Sequence, residues 1–233
     1  MIRELDTTAK CVLGDKLDCS KVKANSRSKL YLFVKRAFDI IVSFLCCLFL
    51  IPITIIIKIA YMLTGDFHRI IFVQERIGQN GKLFKFFKYR SMVVNADEVL
   101  KELLEKDKDL AREYRINKKL THDPRITKVG RIIRNTSIDE LPQLINILLG
   151  DMSFVGNRPY LPREKKDMGK YYDDIVKTKP GLTGFWQCSL RSRGTFLDRL
   201  KMEQYYSKHQ GLRFDVSIFF KTFSVVLGRD GAK

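Results

Sequence analysis

Residues 136 to 162 read Thr136-Ser137-Ile138-Asp139-Glu140-Leu141-Pro142-Gln143-Leu144-Ile145-Asn146-Ile147-Leu148-Leu149-Gly150-Asp151-Met152-Ser153-Phe154-Val155-Gly156-Asn157-Arg158-Pro159-Tyr160-Leu161-Pro162. Two adjacent carboxylates, Asp139 and Glu140, stand at the mouth of an apolar helix, and a Gly/Arg/Pro turn follows it. Pro142 has no N–H to return to residue 138, so the helix is expected to start at or after Asp139 rather than at a Ser137 cap. Leu144, Ile145 and Leu148 recur at helical spacing, and Gly150 suits a left-handed C-cap. Both carboxylates then lie near the positive end of the helix dipole, which keeps them ionised and favours a phosphate alongside. The same residues also fit an S-x-x-E capping box of Ser137 and Glu140, with Asp139 as a good first-turn residue. Local pattern alone favours that second reading, because capping is far commoner than catalysis.

The rest of the chain changes the balance. The Asp-Glu pair before Leu-Pro-Gln-Leu, and the Gly-Asp-Met-Ser-x-Val-Gly-x-Arg-Pro stretch after it, closely resemble the signature of the bacterial sugar transferase family, the monotopic phosphoglycosyl transferases. The resemblance covers roughly residues 35–228 and includes several further motifs in the family's order. They are Lys35-Arg36-Ala37-Phe38-Asp39, Phe72-Val73-Gln74-Glu75-Arg76-Ile77-Gly78, Phe87-Lys88-Tyr89-Arg90-Ser91-Met92, Asp123-Pro124-Arg125-Ile126-Thr127-Lys128-Val129-Gly130 and Lys179-Pro180-Gly181-Leu182-Thr183-Gly184-Phe185-Trp186-Gln187. Two departures stand out. The family's Gly-Pro-Arg-Pro reads Gly156-Asn157-Arg158-Pro159, and Leu190 replaces the glycine before Arg191, where it cannot cheaply adopt a positive φ.

Length and composition set the outer bounds. A chain of 233 residues suits one domain with a real core, and 43 Lys and Arg against 26 Asp and Glu, a net charge of +17, call for a polyanionic partner. Nucleic acid is disfavoured: no zinc-finger spacing, RNP-type strand or isolated basic recognition helix is present. An anionic membrane face is favoured instead. The five cysteines, Cys11, Cys19, Cys46, Cys47 and Cys188, have no metal or disulfide pattern, and three scattered histidines make a histidine zinc site improbable.

Along the chain, residues 1–30 read as a polar tail and 40–57 as an uncharged run of 18 residues. As a helix that run covers about 27 Å against a hydrocarbon core of about 30 Å. Pro52 interrupts it, and Lys35, Arg36 and Lys58 make both flanks basic, so the positive-inside rule cannot orient a span. A helix that bends at Pro52 and returns to the cytoplasmic face resolves the conflict, and the family resemblance implies the same; an ordinary single span with a tolerated proline is the alternative. Alternation over 70–76 and 83–92 predicts a β-hairpin. Residues 95–118 predict one surface helix, 183–193 a loop, 196–206 a further helix, and 214–227 a helix that lies in the membrane interface or is buried. The expected fold is thus α+β and helix-dominated. A re-entrant membrane helix-hairpin (31–66), a small β-hairpin and interfacial amphipathic helices surround a compact catalytic domain (67–233).

The resemblance implies transfer of a sugar 1-phosphate from a UDP-sugar donor to a polyprenol phosphate, releasing UMP, at the cytoplasmic face of a bacterial inner membrane. Carried over from the motifs, Asp139 is the nucleophile and a Mg²⁺ ligand, and Glu140 is a Mg²⁺ ligand or a proton-handling partner. Lys88, Arg134 and Arg158 take phosphate; Arg191 and Asp215 are weaker substrate-binding candidates. Such chemistry suits these residue types, because a carboxylate can split one displacement at phosphorus into two, and arginine forks match phosphate oxygens. A non-catalytic basic membrane-binding scaffold is the competing reading, and adjacent carboxylates beside a phosphate-ready turn argue against it. The stretch 123–137 resembles members that use galactose or glucose 1-phosphate. Oligomeric state is not legible.

Overall fold

The structure, a computed structural model of the chain, describes residues 28–117, 120–189 and 194–227. The expected tail, with Cys11 and Cys19, and the candidate Arg191 lie outside the described residues. Helices predominate over two two-stranded sheets, a helix-dominated α+β architecture.

The apolar run forms two helices, α1 (Lys29–Cys47) and α2 (Leu50–Leu63), bent by 48° at a break over Leu48 and Phe49. The break falls just ahead of Pro52. That places the proline in the first turn of α2, where a backbone N–H has no intrahelical acceptor and its loss is harmless. Among the described residues no single helix is long and apolar enough to cross a membrane, while the bent pair together meets that length and composition.

The polar residues of α1 turn inward. Arg36 donates to the carbonyls of Ile147 and Leu148 at 2.7 and 2.9 Å, Asp39 accepts from Ser153 Oγ and the Phe154 N–H, and Lys35 donates to the Val155 carbonyl. Phe33, Ile41, Phe44, Ile51, Ile56 and Leu63 are exposed. The motif that sequence reading placed at the start of a membrane helix is therefore also the seam that docks that helix on the body. A helix pair with polar residues buried and large apolar ones outside inverts the usual pattern of a water-soluble surface.

Strands β1 (Ile71–Ile77) and β2 (Leu83–Tyr89) form the expected hairpin, paired from Ile71↔Tyr89 to Ile77↔Leu83. The expected single surface helix is instead two, α3 (Ala96–Lys106) and α4 (Lys108–Asn117). Asp107 divides them: its backbone is extended and its Oδ1 accepts from the N–H groups of Asp109 and Leu110, a local cap that outcompetes helix continuation. Next come α5 (Lys128–Asn135), a 3₁₀ turn (Ile138–Glu140) and α6 (Gln143–Leu149), which ends on a left-handed Gly150 with φ 98°.

β3 (Ser153–Val155) and β4 (Gly181–Thr183) pair in parallel, with the short helices α7 (Lys165–Met168) and α8 (Tyr172–Ile175) between them. Where a loop was expected, Phe185–Ser189 forms α9, because Phe185, Trp186 and Cys188 bury together in the main core. The last helices are α10 (Phe196–His209), opened by a Thr195/Asp198 capping box, and α11 (Leu212–Leu227). The last helix is two-sided: Phe214 and Ile218 enter the core, as the buried reading expects, while Val216 and Phe220 remain exposed.

Candidate functional site

Asp139 and Glu140 occupy the 3₁₀ turn between α5 and α6, and Pro142 stands as the residue preceding α6. The start of the helix thus respects the missing proline N–H. Ser137 adopts the left-handed region, with φ 57° and ψ 15°, and makes no side-chain capping bond, so the capping-box alternative is not what forms. A serine there costs about 1–2 kcal/mol relative to a right-handed conformation. The turn it makes buries Asp139 to 6 % exposure.

β2 brings Lys88 to the pair. Asn146, fully buried on α6, fixes the approach: its Nδ2 donates to the Lys85 carbonyl at 2.6 Å and its Oδ1 accepts from the Phe87 N–H at 3.1 Å, substituting for a third strand along β2. Lys88 Nζ then lies 2.8 Å from Glu140 Oε1 and 3.8 Å from Asp139 Oδ2. Burial raises the Asp139 carboxyl above its ordinary value and the neighbouring Glu140 adds to this, against the opposing pull of Lys88 and Arg134. Burial acts the same way on Glu140, but Lys88, Arg158 and Arg134 outweigh it and hold that carboxyl below its ordinary value. Glu140 is the paired anion, and Asp139 is the buried carboxylate whose nearest cation is beyond hydrogen-bond reach.

Two close approaches position the arginines. A Cβ on Gly130 would lie 1.9 Å from the Ser91 carbonyl, so glycine lets α5 pack onto the chain after β2, where Arg134 Nε donates to Ser91 Oγ at 2.8 Å. Gly156 and Gly181 cross just as tightly, with a Cβ on Gly181 only 2.1 Å from the Gly156 nitrogen. That crossing carries Arg158. Asn157, which departs from the family pattern, donates from Nδ2 to Thr178 Oγ1 and Ser207 Oγ at 2.9 and 2.7 Å, anchoring the turn from below. The Arg158 N–H donates to Glu203, a carboxyl that burial pushes up to about 7 despite Arg199 and Tyr160.

Lys88, Glu140 and Arg158 open onto one cavity, also lined by Arg76, Phe86, Gln143, Leu182 and Gln187. Asp139 adjoins it through Lys88, and Arg134 acts electrostatically on both carboxylates. Asp215 is not brought to this cluster. It accepts from Tyr31 and Tyr206 at 2.7 and 2.8 Å and pairs with Lys35, joining α11 to α1. Sequence reading assigned no role to Arg76, Gln143, Gln187 or Asn146. Arg76 was detectable in principle, since Gln74 and Arg76 alternate onto the hairpin face that carries Phe86 and Lys88. Gln143 and Gln187 lie inside the quoted motifs with no role attached to them, and nothing in the sequence singled out Asn146.

Among the described residues no group of three or more His, Cys, Asp or Glu gathers as a metal cage. Asp139 and Glu140 could together serve as a two-carboxylate donor set. That fits Mg²⁺, which is ordinarily held by one or two carboxylates together with substrate phosphates and water.

The model of the bacterial sugar transferase family matches residues 30–229. The chain is 44 % identical to an undecaprenyl-phosphate galactose phosphotransferase of Salmonella typhimurium over 91 % of its own length and 44 % of the relative's. It is 42 % identical to a UDP-galactose-lipid carrier transferase of Erwinia amylovora, over 86 % of this chain and 42 % of that one. An exopolysaccharide production protein, ExoY, of Sinorhizobium fredii is 36 % identical over 82 % of this chain and 84 % of its own length. The chain spans less than half the length of the first two relatives. It belongs to the bacterial sugar transferase family.

Proposed function

We propose that this family member transfers a sugar 1-phosphate from a UDP-sugar to a polyprenol phosphate at a membrane surface and releases UMP. The observation that carries the reading is a buried carboxylate, Asp139, beside a Lys88–Glu140 pair that opens onto a cavity walled by Arg158. In the first step the Asp139 carboxylate attacks the sugar-bearing phosphorus, the bond to the bridging oxygen breaks, and UMP leaves with that oxygen. An oxygen of the polyprenol phosphate then attacks the acyl phosphate, giving the diphosphate-linked sugar and returning Asp139 as a carboxylate. Lys88 and Arg158 offset the charge of an anion attacking an anionic diphosphate, since phosphoryl transfer rests on positioning and electrostatics. Asp139 and Glu140, with donor phosphate oxygens, would hold Mg²⁺, which when bound supplies further charge neutralisation.

The relatives named for galactose favour UDP-galactose as donor. With undecaprenyl phosphate and Mg²⁺, UDP-galactose should release UMP and form a lipid-linked sugar. Absence of release with every member of a UDP-sugar panel would leave only a membrane-binding scaffold.

The exposed apolar face of α1 and α2 supports insertion from one side of the membrane, with both flanks on the cytoplasmic face. The net charge of +17 adds an attraction to anionic lipid, about 1 kcal/mol per Lys or Arg near the surface, which salt screens. In flotation with anionic vesicles, raising salt to roughly 1 M, where the Debye length is about 3 Å, should leave most protein bound. Complete release would identify a peripheral binder instead.

A further inference from the structure

Arg76 lies on β1 and reaches the same cavity as Lys88 and Arg158. Its Nη1 donates to the Pro159 carbonyl at 3.2 Å and its Nη2 to Gln74 Oε1 at 2.7 Å, and the guanidinium lies 5.2 Å from the centre of the Phe86 ring. A guanidinium carries five N–H donors, and these bonds use only two of them, both on neutral acceptors. Nε is buried with no partner. Leaving buried donors of a charged group unmade is costly, so the arrangement expects an acceptor.

The charges around the cavity point the same way. Arg76, Lys88 and Arg158 face a single lining carboxylate, Glu140, which Lys88 already engages. Burial, then the like charge of Arg158, lowers the Arg76 guanidinium to about 10. Lys88 is committed to the Asp139–Glu140 end, whereas Arg76 is tied to Pro159 on the Arg158 side. A ligand with two linked phosphates would satisfy both ends.

We propose that Arg76 is a substrate-binding residue for the nucleotide-bearing phosphate of the donor, the phosphate that departs, while Lys88 serves the phosphate under attack. This rests on the transferase reading above and adds a division of labour between the two hairpin cations that line the cavity. UMP, which retains the departing phosphate, is the discriminating probe, with uridine as its neutral counterpart. In membrane-reconstituted full-length protein, Arg76→Gln should weaken UMP binding by about tenfold or more, since a hydrogen bond to a charged group is lost. Uridine binding should not change. Arg76→Lys, which keeps the charge and loses the fork, should recover part of the UMP affinity. Donor KM and UMP inhibition should move in parallel.

Wild-type affinity for UMP in a folded Arg76→Gln protein overturns the assignment. Should that variant not fold, UMP must protect Arg76 of the wild type from phenylglyoxal where uridine does not; equal modification under both overturns it as well. Wild-type protein that binds UMP through Arg76 and yet transfers no sugar phosphate would sink the transferase reading alone. Intact transfer with an indifferent Arg76 variant would sink only this one.

Discussion

Asp139→Asn is expected to abolish turnover, with a fall on the order of 10⁴-fold or more, because asparagine preserves size and hydrogen bonding but has no anion to form a bond to phosphorus. Wild-type protein given donor and Mg²⁺ without polyprenol phosphate should release at most about one equivalent of UMP and keep a sugar phosphate on the Asp139 peptide. The variant should show neither. Stability should move the other way. The Asp139 carboxyl is raised in the folded protein, so folding binds its proton more tightly than the unfolded chain does, and the ionised form opposes folding above the folded value. Removing that charge should leave the melting temperature at neutral pH equal to or above that of wild type, so lost activity is not lost fold. Glu140→Gln should slow turnover while retaining a slow burst. An adduct on the Asp139→Asn protein would remove Asp139 as nucleophile; UMP release only when both substrates are present would favour a direct displacement.

Much of the frame was legible because it rests on local rules. Alternation and the glycines around Asn80 specify the hairpin, and Pro142 with Gly150 brackets α6. What local pattern cannot carry is the choice between near-equal local options. Asp107 reads as one more charged residue in a helical stretch until its carboxylate caps the next helix. Residues 185–189 read as a loop because only tertiary burial of Phe185 and Trp186 makes a helix there worthwhile. Motif resemblance brought Lys88, Asp139, Glu140 and Arg158 to attention, and the structure gathers them around one cavity and its rim. It also groups Asp215 with Tyr31 and Lys35, a long-range partnership that no spacing announces. Asn146 was hidden for a similar reason. A polar residue on the buried face of an apolar helix makes sense only once the backbone of β2 lies against it.

Lys88→Met should produce the second-largest loss, because one ammonium serves both carboxylates at 2.8 and 3.8 Å. Without it, two adjacent anions are left with Arg134 and Arg158 alone, and both carboxyls should rise. Asp139 must be ionised to attack, so the acid limb of the pH profile for UMP release should move to higher pH. At neutral pH the rate should fall about 10²- to 10³-fold, the usual loss on removing one preorganised charge donor. The stability effect has a definite sign too. Glu140 is held below its ordinary value, so its contribution is present above its unfolded pKa, about 4.3, and is lost as pH falls through the folded value. The melting-temperature deficit of Lys88→Met should therefore be largest near neutrality and shrink on acidification. Lys88→Arg should restore much of the acid limb. Arg134→Gln should cost less than Lys88→Met, because Arg134 spends its Nε on Ser91 and makes no direct ion pair with either carboxylate. An unmoved acid limb in Lys88→Met would mean that this lysine does not control the ionisation of Asp139, and its role would reduce to holding substrate.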